Sequence, residues 1–126
     1  MSTYDNPDRR TYRFPAAALS SAAVVGRFIG PKGKVGHVRS MEHIVTTGVT
    51  TAAGSVTVDT NAGLTAPFTT SIPVSSANAG GSSTKAQNAV GAALAAQLPA
   101  DTVVEVQAGG EPAAGAADLI IEVDWF

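Results

Sequence analysis

The chain has no cysteine among its 126 residues. That excludes disulfides, thiolate nucleophiles and cysteine-ligated zinc. Aromatic residues are scarce at 6%, and charged residues reach only 14%, against about 25% in typical globular domains. Few aromatics leave little material for platforms that stack on sugars. Few charges leave a polar surface of Ser, Thr, Gly and Ala, which suits subunits that pack side by side. No apolar run approaches the roughly 18 residues of a membrane-spanning helix. The opening "MSTYDNPDRRTYRF" also lacks the apolar stretch of a signal peptide. No membrane partner is expected.

Catalytic signatures are missing as well. His37 and His43 lie six apart, about 20 Å along a strand at about 3.3 Å per residue, and they miss the four-residue spacing of a helical zinc pair. They read as surface histidines. Glu122 and Asp124 share a strand face, an arrangement common on exposed strands and only weakly suggestive of a cation site. No Gly-x-Ser-x-Gly elbow is present. The phosphate-loop pattern fails because Phe28 stands where glycine is required and Val35 follows Lys34. No enzyme activity, catalytic residue, metal or cofactor is expected.

What the chain does have is alanine, β-branched residues and an uneven charge. Hydrophobic residues make up 44%, many of them Ala and Val. That composition suggests a thin core between flat surfaces, and the length suits one domain. Residues 1–43 hold seven of the eight Lys and Arg and three acidic residues, a net of +4, whereas residues 44–126 hold one basic and seven acidic residues, a net of −6. A basic head on an acidic body would orient the molecule on a partner or on its own copies.

Residues 1–15 read as an extended arm. Asp5, Asn6, Pro7 and Asp8 disfavour regular structure. Beyond them Arg9, Thr11 and Arg13 would share one side, with Arg10, Tyr12 and Phe14 on the other. Residues 16–126 read as one β-sandwich domain. Ala22 to Ile29 suggests a short strand. Lys34 to Thr47 fits the helix period about as well as the strand period, and "IVTTGVTT" favours strand. Ser55–Thr60 alternates cleanly and predicts a half-buried strand. Pro67–Val74 carries two prolines, which suit an edge strand. Ser75–Thr84 reads as a flexible loop. A short helix is predicted over about 84–98, with Thr84 and Gln87 as a capping box and Pro99 as its stop. Asp101–Ala108 and Ala117–Phe126 predict the last two strands. In the latter, Leu119, Ile121, Val123 and Trp125 face one way. The expected fold is mainly β: an antiparallel β-sandwich or jelly-roll-like barrel with one inserted helix.

"GRFIGPKGKVGHVR" is the most tempting motif. "VVGRFIGPKGK" resembles the KH family of nucleic-acid-binding domains, whose Ile-Gly-x-x-Gly loop lies between two helices and clamps single-stranded backbone. The resemblance would make Gly30 and Gly33 the loop glycines, with Lys32 and Lys34 facing phosphates. Gly36, however, stands where that family places a large apolar residue, and the acidic body would repel a nucleic acid. The alternative is a tight turn with Pro31 at its second position and Gly33 beyond it, joining strands 24–29 and 34–45 into a hairpin with a basic tip. Nucleic acid is not the expected partner.

Over most of residues 11–126 the chain resembles the capsid decoration or cement proteins of tailed bacteriophages. The phrases that carry this are "YRFPAAAL", "VVGRFIGPKGKVGHVRSMEHIVTTGVT", "VTVDTNAG", "LPADTVVEV" and "GGEPAAGAADLIIEVDWF". The resemblance implies a structural virion protein that binds the major capsid protein on the head surface, usually as a homotrimer, without a cofactor. It would be made in the host cytoplasm and end up in the virion. In that setting Arg9, Arg10 and Arg13 would pair with acidic capsid groups, Tyr12 and Phe14 would anchor in a pocket, and Lys32 and Lys34 would touch an acidic neighbour. Trp125 and Phe126 would cover the end of the core or meet another subunit. A carbohydrate-binding or fibre-like module is a further, weaker alternative.

Overall fold

The computed structural model describes residues 8–64, 67–84 and 97–126. Eight strands follow in chain order: β1 (Asp8–Ala18), β2 (Ala23–Phe28), β3 (Gly36–Thr50), β4 (Gly54–Thr60), β5 (Phe68–Ile72), β6 (Gly80–Thr84), β7 (Val104–Gly109) and β8 (Ala114–Trp125). They form two four-stranded sheets with every pair antiparallel, ordered β1-β8-β3-β6 and β2-β7-β4-β5. The sheets face each other as an open sandwich. They do not close into a barrel, because β1, β6, β2 and β5 remain edges.

Residue alternation explains the layers. In β4, buried Val56 and Val58 alternate with half-buried Ser55, Thr57 and Asp59. In β7, buried Val104, Val106 and Ala108 alternate with Glu105 and Gln107. In β8, Leu119, Ile121, Val123 and Trp125 all turn inward, as their spacing predicts. Met41, Val45 and Val49 of β3 meet them from the neighbouring strand. Each fully buried aliphatic side chain contributes roughly 1.5–3 kcal/mol, which is how a thin core without a disulfide holds together.

Several expectations need correction. The segment 24–45 is not a hairpin: β2 pairs with β7 and β3 pairs with β6 and β8, so residues 29–35 cross from one sheet to the other. Among the described strands only β4 and β5 are chain neighbours that also pair. The expected loop 75–84 ends in strand β6, where β3 supplies the hydrogen-bonding partners that glycine and serine propensity would not demand. Most of the helix expected over about 84–98, Gln87 included, lies outside the described residues. At its ends, Thr84 is the last residue of β6 and Leu98 bridges Gly36 through two backbone hydrogen bonds of 2.8 and 2.9 Å. No helix occurs among the described residues. The arm expected over residues 1–15 is, from Asp8 onward, a strand of the sandwich paired along β8. Its register shifts between Phe14 and Ala17, where Pro15 lacks a donor and Ala16 adopts φ 49°. The double-proline segment behaves as its sequence suggests, since β5 is the edge of its sheet.

His43 is buried, not on the surface. It lies in register with Leu119 on one side and Gly81 on the other. A Cβ added to Gly81 would sit 2.8 Å from its Cε1, so only glycine leaves the imidazole room. Its Nδ1 has no hydrogen-bond partner among the described residues. Burial disfavours the cation and lowers the pKa below the ordinary 6.5. His37 is shifted the same way by burial, opposed by nearby Asp124.

The sign of the linkage follows. The unfolded chain protonates near the ordinary value, while the folded chain resists until lower pH, so stability is full above about pH 6.5 and falls as the pH drops through the lowered folded value. His43→Leu removes its share. Thermal denaturation at pH 7.5 and pH 5.5 is expected to show a smaller acid-induced loss of Tm in the variant than in the parent chain. An equal loss would show that His43 is not linked.

Candidate partner-binding surface

The aromatic residues of β1 are used inside the molecule. Tyr12 stacks on Phe28 of β2 with ring centroids 3.9 Å apart and planes 13° from parallel. Phe14 lies tilted against the same ring at 6.4 Å. These contacts join the β1 edge of one sheet to the β2 edge of the other. The pocket expected on a partner is therefore the protein's own. Trp125 is 1% exposed and donates its indole N–H to Tyr12 Oη at 3.1 Å. Burial raises the Tyr12 pKa, and the Trp125 hydrogen bond opposes the rise. Trp125 belongs to the core, whereas Phe126 remains 41% exposed at the same end.

The glycines of "GRFIGPKGKVG" seat these rings. A Cβ on Gly26 would overlap the Phe14 ring, and one on Gly30 would overlap the Trp125 indole. A Cβ on Gly36 would sit 2.6 Å from Trp125 Cζ3. Gly33 alone serves a turn: its φ is +76°, and Lys34 N–H donates to the Pro31 carbonyl at 3.1 Å. Pro31 is thus the first residue of that turn, and Gly33 takes the third position, where a type II turn requires positive φ. The Gly33 N–H, which a phosphate-clamping loop would offer to its ligand, donates to Asp101 Oδ1 at 3.0 Å. The loop also joins two strands, not two helices. The arrangement the KH resemblance requires is absent from residues 23–50.

The charge asymmetry is largely satisfied within the chain. Arg9 of β1 and Arg39 of β3 flank β8 and hold its two outward carboxylates. Arg9 Nε lies 2.7 Å from Asp124 Oδ1, and Arg39 Nε lies 2.9 Å from Glu122 Oε1. Longer pairs of 3.9 Å (Arg9–Glu122) and 3.7 Å (Arg39–Asp124) close the quartet. The hydrogen bond to Asp124 raises the Arg9 pKa, partly offset by desolvation. Arg27 pairs with Glu105 at 2.9 Å and Arg10 with Asp8 at 3.2 Å. Glu122 and Asp124 are thus neutralised by guanidinium groups. Among the described residues no group of three or more His, Asp or Glu is placed to hold a metal ion.

What remains outward is a short inventory. Lys32 is exposed and Lys34 half-buried, both in the β2–β3 loop, and neither makes an ion pair among the described residues. Ile29, at the start of that loop, is 54% exposed. Phe126 is fixed at the same end: its N–H and carbonyl exchange hydrogen bonds of 2.9 and 3.0 Å with Val35, and His37 meets its ring edge-on at 5.3 Å. Arg13 is exposed on the outer face of β1 without an ion pair among the described residues. Of the residues singled out from sequence, Lys32, Lys34 and Phe126 come together, while Arg9, Arg10, Tyr12, Phe14 and Trp125 are taken up within the chain. Sequence reasoning missed Phe28, Arg39 and Asp101, whose partners lie far away in the chain.

No protein-family model matches the chain, and no curated protein matches it. Among solved structures, the infectious bursal disease virus VP2 subviral particle matches 96% of this chain and 41% of that chain, at 14% identity and a TM-score of 0.34. The chain therefore spans well under half of that protein, and a likeness at this level carries no functional argument.

The two glycine roles separate experimentally. Gly36→Ala forces a methyl group against a fully packed indole and is expected to cost about 1–3 kcal/mol. Gly33→Ala meets no atom within 4 Å and is expected to cost about 1–2 kcal/mol, from left-handed strain alone. Urea denaturation measures both, and tryptophan fluorescence distinguishes them. Only Gly36→Ala should shift the native Trp125 emission, and an unshifted spectrum would refute the seating.

Proposed function

We propose that this protein is a structural component of a bacteriophage virion that binds the major capsid protein on the head surface and stabilises the shell as a closed oligomer, a trimer by the resemblance described above. The observation that carries the proposal is the strand order. β1-β8-β3-β6 facing β2-β7-β4-β5, with most connections crossing between sheets, is the connectivity of a jelly roll, an architecture used by viral capsid domains, lectins and cupins. The argument is by analogy of fold. Two features favour a structural role over the other uses. Among the described residues only Phe126 presents a large exposed ring, too little for a sugar platform. The interior is filled by apolar side chains, and its one buried histidine has no companion ligand among the described residues.

The docking surface in this reading is the end that carries Ile29, Lys32, Lys34 and Phe126. Its two unpaired ammonium groups beside exposed apolar side chains suit an acidic, partly apolar capsid face. Arg9, Tyr12 and Phe14 leave the docking role because the fold uses them.

Co-sedimentation with empty capsids tests this. The parent chain is expected to pellet with capsids, and Lys32→Glu combined with Lys34→Glu to remain in the supernatant with an unchanged Tm. Full pelleting of the double variant would move the contact away from this loop. A parent chain that never pellets would overturn the capsid reading itself.

A further inference from the structure

The outer face of the first sheet carries a row that is open in a way its neighbours are not. Arg13 of β1, Ile120 of β8 and Glu42 of β3 are in direct register across three adjacent strands. Residues in register share a face. This face is the outer one, because Met41, Leu119 and Ile121, next to them in sequence, are buried. Arg13 and Glu42 are exposed, and neither makes an ion pair among the described residues. With strands about 4.8 Å apart, the two backbones stand roughly 10 Å from each other with Ile120 between them.

In the adjoining rows the carboxylates are already engaged. Above, Glu122 and Asp124 are held by Arg9 and Arg39. Below, Asp118 accepts the Ala16 N–H at 2.7 Å. In that lower row Ile44 is 46% exposed, lying between Asp118 and Gly80, which has no side chain to cover it. The face therefore presents an unpaired cation, an isoleucine and an unpaired anion in a line, with a second isoleucine beside them.

That line is complementary to itself. A two-fold axis parallel to β8, midway between two facing sheets and over Ile120, sets Ile120 opposite its copy and Arg13 of each molecule over Glu42 of the other. It yields two ion pairs around an apolar centre, the pattern of an isologous contact. Sheets pack face to face at about 10 Å, a gap that an arginine and a glutamate span together. The same axis sets Glu122 opposite its own copy, its charge already met by Arg39 and Arg9, and Asp118 opposite its own copy, each drawn aside toward the Ala16 N–H of its own chain. We propose that the outer face of the β1-β8-β3-β6 sheet is a two-fold self-association surface, and that its occupant is a second copy of this chain. The proposal does not rest on the capsid reading.

Charge reversal with sedimentation equilibrium tests it, using the full chain at micromolar concentration. The parent chain is expected at twice the 12.6 kDa monomer mass, or at a higher even multiple. Arg13→Glu alone and Glu42→Arg alone are each expected to halve that mass with circular dichroism unchanged, and the two reversals combined to restore it. Ile120→Asp is expected to halve it as well while the chain stays folded. A monomeric parent at every concentration would overturn the proposal, as would an assembly of any size that neither reversal moves. The Lys32→Glu, Lys34→Glu variant is expected to remain dimeric, so failure at the capsid and failure of this contact are told apart.

Discussion

The indole of Trp125 fits at the end of the sandwich only because Gly30 and Gly36 have no side chains, and much of the molecule is arranged around that fit. Trp125 ends β8, the strand that pairs with both β1 and β3. Its N–H reaches Tyr12 of β1, and Tyr12 stacks on Phe28 of β2. One ring thus links the middle of one sheet to the edge of the other. The crossover 29–35 passes over it, and Val35 then pairs with Phe126. Removing the glycines would not loosen a hinge. It would push the crossover off the ring that fills this end of the sandwich.

The same economy governs the charges. A chain with a net +4 head and a net −6 body could use that difference to find a partner, but much of it is consumed in folding. Arg9, Arg27 and Arg39 come from the head, and Glu105, Glu122 and Asp124 come from the body. Exposed pairs of this kind add little stability singly. Around Asp124, only 5% exposed, they do something more specific: they allow a carboxylate to lie low between two strands without an unpaired charge.

How much of this was legible in the sequence depends on how local each signal is. Strands β4, β7 and β8 show themselves through alternation, because period 2 is written in neighbouring residues. Edge strand β5 shows itself through Pro67 and Pro73, because a missing N–H is a property of the residue. The rest is long-range. Nothing near Arg9 indicates Asp124, 115 residues away, and nothing near Gly30 indicates the ring it must accommodate. The two glycines and two lysines of "IGPKGK" therefore looked like a phosphate clamp, when one glycine of the loop makes a turn and the other makes room. β6 was illegible for the same reason. "GGSST" has poor strand propensity, and only β3 alongside makes it a strand. His43 looked like a surface histidine until Gly81 was placed against its ring.

This pattern also decides where function should be sought. In a small sandwich without disulfides or helices among its described residues, the conspicuous side chains, such as tryptophan, stacked tyrosine and clustered arginine, are the ones the fold most needs. A motif search is drawn to them first. The residues free to meet another molecule are less conspicuous: two lysines on a loop, one arginine and one glutamate on a flat face, and isoleucines the core has no use for. They contribute little to folding, since none of the charged ones has an ion-pair partner to lose among the described residues. Substituting them should therefore alter association while leaving stability intact. In this molecule that separation is a better guide to function than any single motif, because the motifs are already occupied in holding the two sheets together.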